Sequence, residues 1–267
     1  MQTVLESNKT KIAKRVIEVF EFFDEHSQKA TVMDIVRRYG RPQSSTSELL
    51  SSLVDMGLLY KDARSRSYSP TPRLATLGAS AQPNILRDGR LFAFMDRLAF
   101  STRCGVALFG MVGTHAQIFR WSAGSDPLTA DLGCGSSEQL SATTAGLLLL
   151  SSMPADQAGR MLWRLNAEAV PSAKFNPAEV GERVASYRRQ GHATGPSGYV
   201  PNALVTATML PRGESERPLA LGLIYATDAA VHPEALLGSM ERGIALCAAP
   251  ADDYLPDISL APIRMAV

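Results

Sequence analysis

Between Thr31 and Pro70 the chain carries two short helical patterns separated by a break that only a tight turn can satisfy. Thr31 to Tyr39 is amphipathic, with Val32, Ile35, Val36 and Tyr39 on one stripe. Thr31 is a natural N-cap, and Asp34 three residues on takes the capping-box position. Gly40, Arg41 and Pro42 interrupt the pattern. Gln43 to Met56 resumes it, with Thr46, Leu49, Leu50 and Leu53 pointing one way and Ser44, Ser47, Glu48 and Ser51 the other. Gly57 supplies the left-handed residue that stops this helix. Leu58 to Tyr60 then leads into a basic turn, Lys61 to Ser67, and back through Tyr68. Helix, turn, helix and basic hairpin in this order make a winged helix-turn-helix, which lays its second helix in the major groove of DNA.

A reading helix needs short polar side chains near its N-terminus, donors that hold phosphates, and a basic wing that reaches the flanking backbone. Arg41, Gln43, Ser44, Ser45, Thr46 and Ser47 stand where the first requirement falls. Gln can pair bidentately with adenine, and Ser can contact bases or phosphates. Arg37 and Arg38 at the end of the preceding helix are candidate backbone donors, and Arg64 and Arg66 are the wing contacts. Charge is divided in the matching sense: residues 1–80 hold 12 basic and 9 acidic side chains, net +3, and residues 81–267 hold 15 and 17, net −2.

The remaining chain is long enough for a second globular domain, at 267 residues and 45% hydrophobic overall. Lys9 to His26 reads as the first helix, with Ile12, Val16, Val19, Phe20 and Phe23 on one face. Pro70, Pro72 and Pro83 punctuate the exit from the winged unit. Asn84 to Phe100 is again amphipathic, and reads either as a linker and dimerisation helix or as the first helix of the second domain. From Gly105 the period shortens: Val106–Val112 and Gln117–Trp121 read as a strand pair across residues 113–116. Asp126 to Ser137 is loop-rich. Helices are expected over 141–152, 155–169, 177–190 and 232–248, and strands over 192–194 extending toward Val200, 204–210 and 219–226, with an exposed hairpin tip at 211–218. Strands and helices mix without a βαβ rhythm, so the fold class is α+β. The expected domains are residues 1–80 (winged helix-turn-helix), 81–100 (linker helix) and 101–267 (effector binding and oligomerisation), with an irregular tail from Asp252.

No apolar run approaches the ~20 residues that span a bilayer, and Met1 to Thr10 lacks the basic and apolar regions of a signal peptide. Cys104, Cys134 and Cys247 are too few and scattered for a disulfide framework, which points to a reducing cytoplasm. Enzyme motifs fail on their chemistry. Gly195-Pro-Ser197-Gly-Tyr199 has Tyr where a nucleophile elbow needs Gly, and Gly133-Cys-Gly135 lacks the third Gly of a dinucleotide loop. His26, His115, His192 and His232 pair with no Cys or acidic residue at metal spacing. The expectation is no catalytic residue, no metal and no cofactor.

These residues together resemble the IclR family of bacterial transcriptional regulators. The resemblance rests on the helix Val32 to Val36, the recognition helix Ser44 to Leu50, the segment Val54 to Tyr60, and Tyr68 through Arg73 and Leu74 to Leu77 and Gly78. In the second domain it rests on Leu140 to Gly146 followed by Leu147 to Ser151, and on Tyr187 to Thr194. The resemblance implies a winged helix-turn-helix joined by a linker helix to a GAF-like effector domain, a homodimer or homotetramer, a double-stranded DNA operator and a small organic effector, often an aromatic or carboxylic acid. The chain departs from the family pattern with Ser141 for a common His, Leu147 for a Lys, Gly195 to Tyr199 for an acidic strand and Asn202 to Thr208 for an Ile-Ala-Pro-like strand.

An effector site is expected beside the start of the 141–152 helix, whose free N–H groups suit an anion or carbonyl. Ser141, Thr143 and Thr144 add hydroxyls, Cys134, Tyr199 and Asn202 face them, and Phe109 and Trp121 form apolar walls. The same Ser and Thr residues also read as helix caps, and the aromatics as core. The sequence therefore supports a ligand-responsive DNA-binding regulator, with a regulator or oligomeric interaction protein of silent pocket as the alternative.

Overall fold

The computed structural model describes residues 8–23 and 27–249, and the chain divides into two units at Gln82 and Pro83. His26 and the tail from Asp252 lie outside the described residues, as does most of the N-terminal stretch read for a signal peptide.

In the first unit α1 (Asn8–Glu21), α2 (Val32–Tyr39) and α3 (Gln43–Asp55) precede a two-stranded hairpin, β1 (Leu59–Lys61) and β2 (Tyr68–Pro70). The strands are antiparallel with Leu59 opposite Pro70 and Lys61 opposite Tyr68. Thr31 caps α2 as expected: its hydroxyl accepts from the Asp34 N–H, and the Asp34 carboxylate accepts from the Thr31 N–H at 2.8 Å. Gly40 at φ 62° and Gly57 at φ 69° take the left-handed turns that end α2 and reverse the chain after α3. Val19, Ile35, Leu50, Leu53, Leu59 and Tyr68 are buried together, each worth about 1.5–3 kcal/mol of apolar burial. Ile12, expected on this face, is 58% exposed. A short helix that the pattern did not announce, α4 (Arg73–Gly78), follows Pro72 and buries none of its residues.

The second unit is built on one antiparallel sheet of six strands: β3 (Gly105–Val112), β4 (His115–Ser122), β5 (Ser137–Gln139), β6 (His192–Pro196), β7 (Ala203–Met209) and β8 (Leu219–Ala226), in the order β5-β4-β3-β8-β7-β6. Helices cover both faces. Ala107, Phe109, Ile118, Val205, Ala207 and Ile224 meet α6 (Thr144–Ser151), α7 (Ala155–Glu168) and α8 (Pro177–Gln190). Val106, Leu108, Leu221, Leu223 and Tyr225 meet α5 (Arg90–Thr102) and α9 (Pro233–Ala248). A strand buried on two faces reads as an unbroken apolar run, which is why Leu219 to Ala226 shows no alternation. All eight residues of α6 are buried, as a helix apolar all round requires.

Three local readings shift. The single helix expected over 84–100 is a 3-10 turn at Asn84–Leu86, then α5 beginning after Gly89, whose φ of 73° breaks the helical path. α5 packs against the sheet through Leu91, Phe94, Met95 and Leu98, and Gly243 leaves Phe94 its room: a Cβ there would lie 2.0 Å from the ring. The helix expected from Ser141 starts at Thr144, because Leu140–Ala142 forms a 3-10 turn and Thr143 is the N-cap. The loop-rich stretch before it contributes the edge strand β5.

Candidate nucleic-acid interface and effector site

α3 starts without a side-chain cap. Pro42 is the N-cap residue, and its carbonyl accepts from the Thr46 N–H at 3.1 Å and the Thr46 hydroxyl at 2.8 Å. Gln43 and Ser44 stand exposed on this first turn, with Ser47 half-buried one turn on. Thr46 is turned the other way: it is 2% exposed, so its hydroxyl serves the helix start and its methyl the core, which removes it from the outer face. Ser45 is half-buried and accepts from the Arg15 guanidinium at 3.1 Å. Arg41 is held by Glu18 of α1 through two hydrogen bonds, Nη2 at 2.6 Å and Nε at 3.2 Å. A bidentate guanidinium of this kind has a fixed direction. Arg37 and Arg38 are exposed in the last turn of α2, where cations also complement the helix dipole.

The wing is a folded turn. Asp62 accepts from the Arg64 N–H at 2.8 Å and the Ser65 N–H at 3.0 Å, and these bonds hold its carboxyl below the usual carboxylate range. Arg66 takes φ 53°, an uncommon conformation for a residue with a Cβ. Arg64 and Arg66 are exposed at the tip. The base is anchored by Tyr68, 2% exposed, which exchanges two backbone hydrogen bonds with Ala30, at 3.0 and 2.7 Å. Sequence reasoning passed over Lys11, Lys14 and Arg15, which line a groove beside Arg41, Pro42 and Ser45. Their i, i+3, i+4 spacing was the available signal.

In the second unit the expected effector residues separate. Phe109, Thr143, Thr144 and Tyr199 come together where β6 ends against the start of α6. Thr143 Oγ1 accepts from the Gly146 N–H at 2.8 Å, and the Thr144 hydroxyl donates to the Pro196 carbonyl at 2.8 Å. The Tyr199 ring lies 5.7 Å from that of Phe109, centre to centre, and its hydroxyl donates to the Ala116 carbonyl of β4 at 2.7 Å. Burial pushes the Tyr199 phenol well above its ordinary pKa, with the Glu138 carboxylate adding to the shift. The contact is close enough to require glycine: a Cβ at Gly198 (φ 78°) would lie 2.3 Å from the Ala142 carbonyl oxygen, and one at Gly195 2.7 Å from Thr144 Oγ1. Ser141 is half-buried in the 3-10 turn, outside the helix start it was expected to open. Trp121 packs over Gly105, while Cys134 and Asn202 are exposed. Asn202 at φ 57° presents its carbonyl to the Thr227 N–H. Among the described residues no cluster of His, Cys, Asp and Glu could hold a metal, and no helix is long and apolar enough to cross a membrane.

A winged helix-turn-helix, a DNA-binding motif, thus precedes a helix-covered antiparallel sheet along the chain. Residues 13–63 match the IclR helix-turn-helix domain. The chain is similar in fold to the IclR transcriptional regulator from Alicyclobacillus acidocaldarius, at 18% identity and a TM-score of 0.57 over 91% of this chain and 98% of that one. It is similar to an IclR-family regulator from Brucella abortus at 18% identity and TM-score 0.52, over 94% and 97% of the two chains. An IclR homologue from Microbacterium hydrocarbonoxydans, solved in complex with 4-hydroxybenzoate, matches at 19% identity and TM-score 0.54, over 88% and 96%. No curated protein matches the sequence. The N-terminal domain is thus an IclR helix-turn-helix domain, and the fold of the chain is that of the IclR-family transcriptional regulators.

Proposed function

We propose that the protein is a homo-oligomeric, ligand-responsive transcriptional regulator that binds a double-stranded DNA operator through α3 and the β1–β2 wing. The observation that carries this reading is the IclR helix-turn-helix match over a unit whose uncapped α3 exposes Gln43 and Ser44 near a basic wing. Gln43 and Ser44 read base edges, with Ser47 one turn on. Arg37, Arg38, Arg64 and Arg66 hold phosphates. Arg41, tied to Glu18, positions the turn before α3 and meets the backbone. A random-sequence selection with the full chain tests this reading: a motif is enriched, and its binding weakens steeply with salt. Failure to enrich any motif overturns it.

The second unit is the sensor. Its effector is a small aromatic or carboxylic acid that enters between the α6 start and the β6 end, displaces the Tyr199 ring and, where it carries a hydroxyl, donates in its place to the Ala116 carbonyl. Effector binding then shifts operator affinity by its differential affinity for two arrangements of the dimer or tetramer. The relative solved with 4-hydroxybenzoate makes that acid the first compound to try. A thermal-shift series on the full chain gives a concentration-dependent rise with such an acid. A second reading, a regulator with a silent sensor, is favoured by one observation: Tyr199 already fills the space and is hydrogen-bonded there. No rise with any acid, with DNA binding intact, selects the second reading.

A further inference from the structure

We infer that α1 carries a further DNA-backbone site, a basic groove that takes successive phosphates of the strand flanking the reading helix. This inference rests on the reading of α3 as the element that enters the major groove.

The groove runs between α1 and the start of α3, has a volume of about 460 Å³, and among the described residues is lined by Lys11, Lys14, Arg15, Arg41, Pro42 and Ser45, with Ile12 its one apolar side chain besides the proline. Lys11, Lys14 and Arg15 share one side of α1, and Arg41 adds a fourth cation from the turn. Glu18 lies one turn further along the same stripe and pairs with Arg41 at 2.6 Å. Among the described residues the groove sets four cations against one carboxylate, an excess of positive charge. Arg15 spans the floor, donating to Ser45 in the first turn of α3 at 3.1 Å. No described carboxylate pairs with Lys11 or Lys14, and both side chains are exposed.

Three features favour a phosphodiester strand over a small anion. The cations are spread along a full turn of α1, about 6 Å from Lys11 to Arg15, which suits neighbouring phosphates rather than one compact ion. Lys11 and Lys14 at the groove's edge are exposed and so within reach of a passing strand. The groove also abuts the N-terminal turn of the 13-residue α3, where Pro42 provides no side-chain cap for the first N–H groups and Gln43 and Ser44 are exposed. A helix inserted by this end brings the flanking backbone against the groove, so α1 works as a clamp on the strand beside the base contacts.

The test is fluorescence anisotropy of the full chain on two duplexes, one with the selected motif and one scrambled, across a salt series. The variant is K11A/K14A, which spares Arg15 and Arg41 and the bonds they make. The expected result is a salt dependence shallower by about 1 to 2 in log–log slope and a loss of roughly tenfold in affinity at low salt, equal on both duplexes, with the thermal transition unchanged. K11R/K14R restores both. Wild-type binding with an unaltered slope in K11A/K14A overturns the inference and leaves the DNA-binding reading standing. So does a loss confined to the motif duplex, which would make these base contacts. A thermal stabilisation by inorganic phosphate that K11A/K14A abolishes, with the DNA slope unchanged, assigns the groove to a free anion and overturns it as well. A wild-type chain that binds neither duplex overturns the function proposed for α3, and this inference with it.

Discussion

At the start of α3, Gln43 and Ser44 face solvent and the first N–H groups have no side-chain cap. At the start of α6 the polar residues do the opposite: Thr143, Thr144 and Tyr199 turn inward, and each bonds a backbone group. The same residue chemistry thus serves two ends. A surface that reads a polymer has to leave its polar groups unspent and in water. On the proposed function, the second unit keeps them covered until a ligand replaces the covering group, because buried donors and acceptors without partners are costly.

The comparison can be attacked at its largest expected effect first. Phe109→Ala empties the packed centre beside Tyr199 and lowers the stability of the second unit by about 3–5 kcal/mol in chemical denaturation. A cost below about 1 kcal/mol would mean that the region is not filled. Gln43→Ala weakens operator binding by about 1–3 kcal/mol and relaxes specificity at one position, while the stability of the first unit stays within about 0.5 kcal/mol. Arg41→Ala also weakens binding but lowers that stability by up to about 1 kcal/mol, through loss of the Glu18 pair. Equal stability for the two variants would put Arg41 on the reading face with Gln43. Tyr199→Phe removes the bond to the Ala116 carbonyl and costs the second unit about 1 kcal/mol, yet leaves the ring in place. If the silent-sensor reading is right, this variant still binds no acid.

An effect of similar size lies at the α2 cap of the first unit. Thr31→Ala costs about 1 kcal/mol through loss of the α2 cap. The bonds from the Thr31 N–H and hydroxyl hold the Asp34 carboxyl below its ordinary value. Its folded pKa is therefore depressed, and the stability it contributes is present above the unfolded value, near pH 4, and lost as pH falls through the folded one. Asp34→Asn should flatten the acid limb of the first unit's unfolding curve, read by circular dichroism in a pH series; an unchanged limb would remove Asp34 from the account.

Most elements were legible where burial imposes a period. The spans of α8 (Pro177–Gln190) and β8 (Leu219–Ala226) follow directly from spacing, caps and apolar run. The misses share a cause, which is that nothing local marks them. α4 buries no residue, so no stripe announces it. β5 is Ser137, Glu138 and Gln139, polar residues made into a strand by pairing with β4. The 3-10 turn before α6 has the composition of a helix start, and only Thr143 as N-cap fixes the boundary. The two sites differed in the same way. Gln43, Ser44, Arg64 and Arg66 lie within one local unit, whereas the partner of Tyr199 is 83 residues away at Ala116 and depends on the sheet register. The Lys11, Lys14 and Arg15 stripe was visible as spacing, but spacing alone describes a solvated face until α3 stands beside it.

The sheet order places β5 and β6 at its two margins. β5 itself is three residues long, and β6 closes on Pro196, which has no N–H to offer. Short and proline-ended edge strands of this kind are poor templates for strand addition by a neighbouring chain. Any association between copies of this unit would then run through its helical layers and loops, where side-chain complementarity rather than backbone pairing decides the partner.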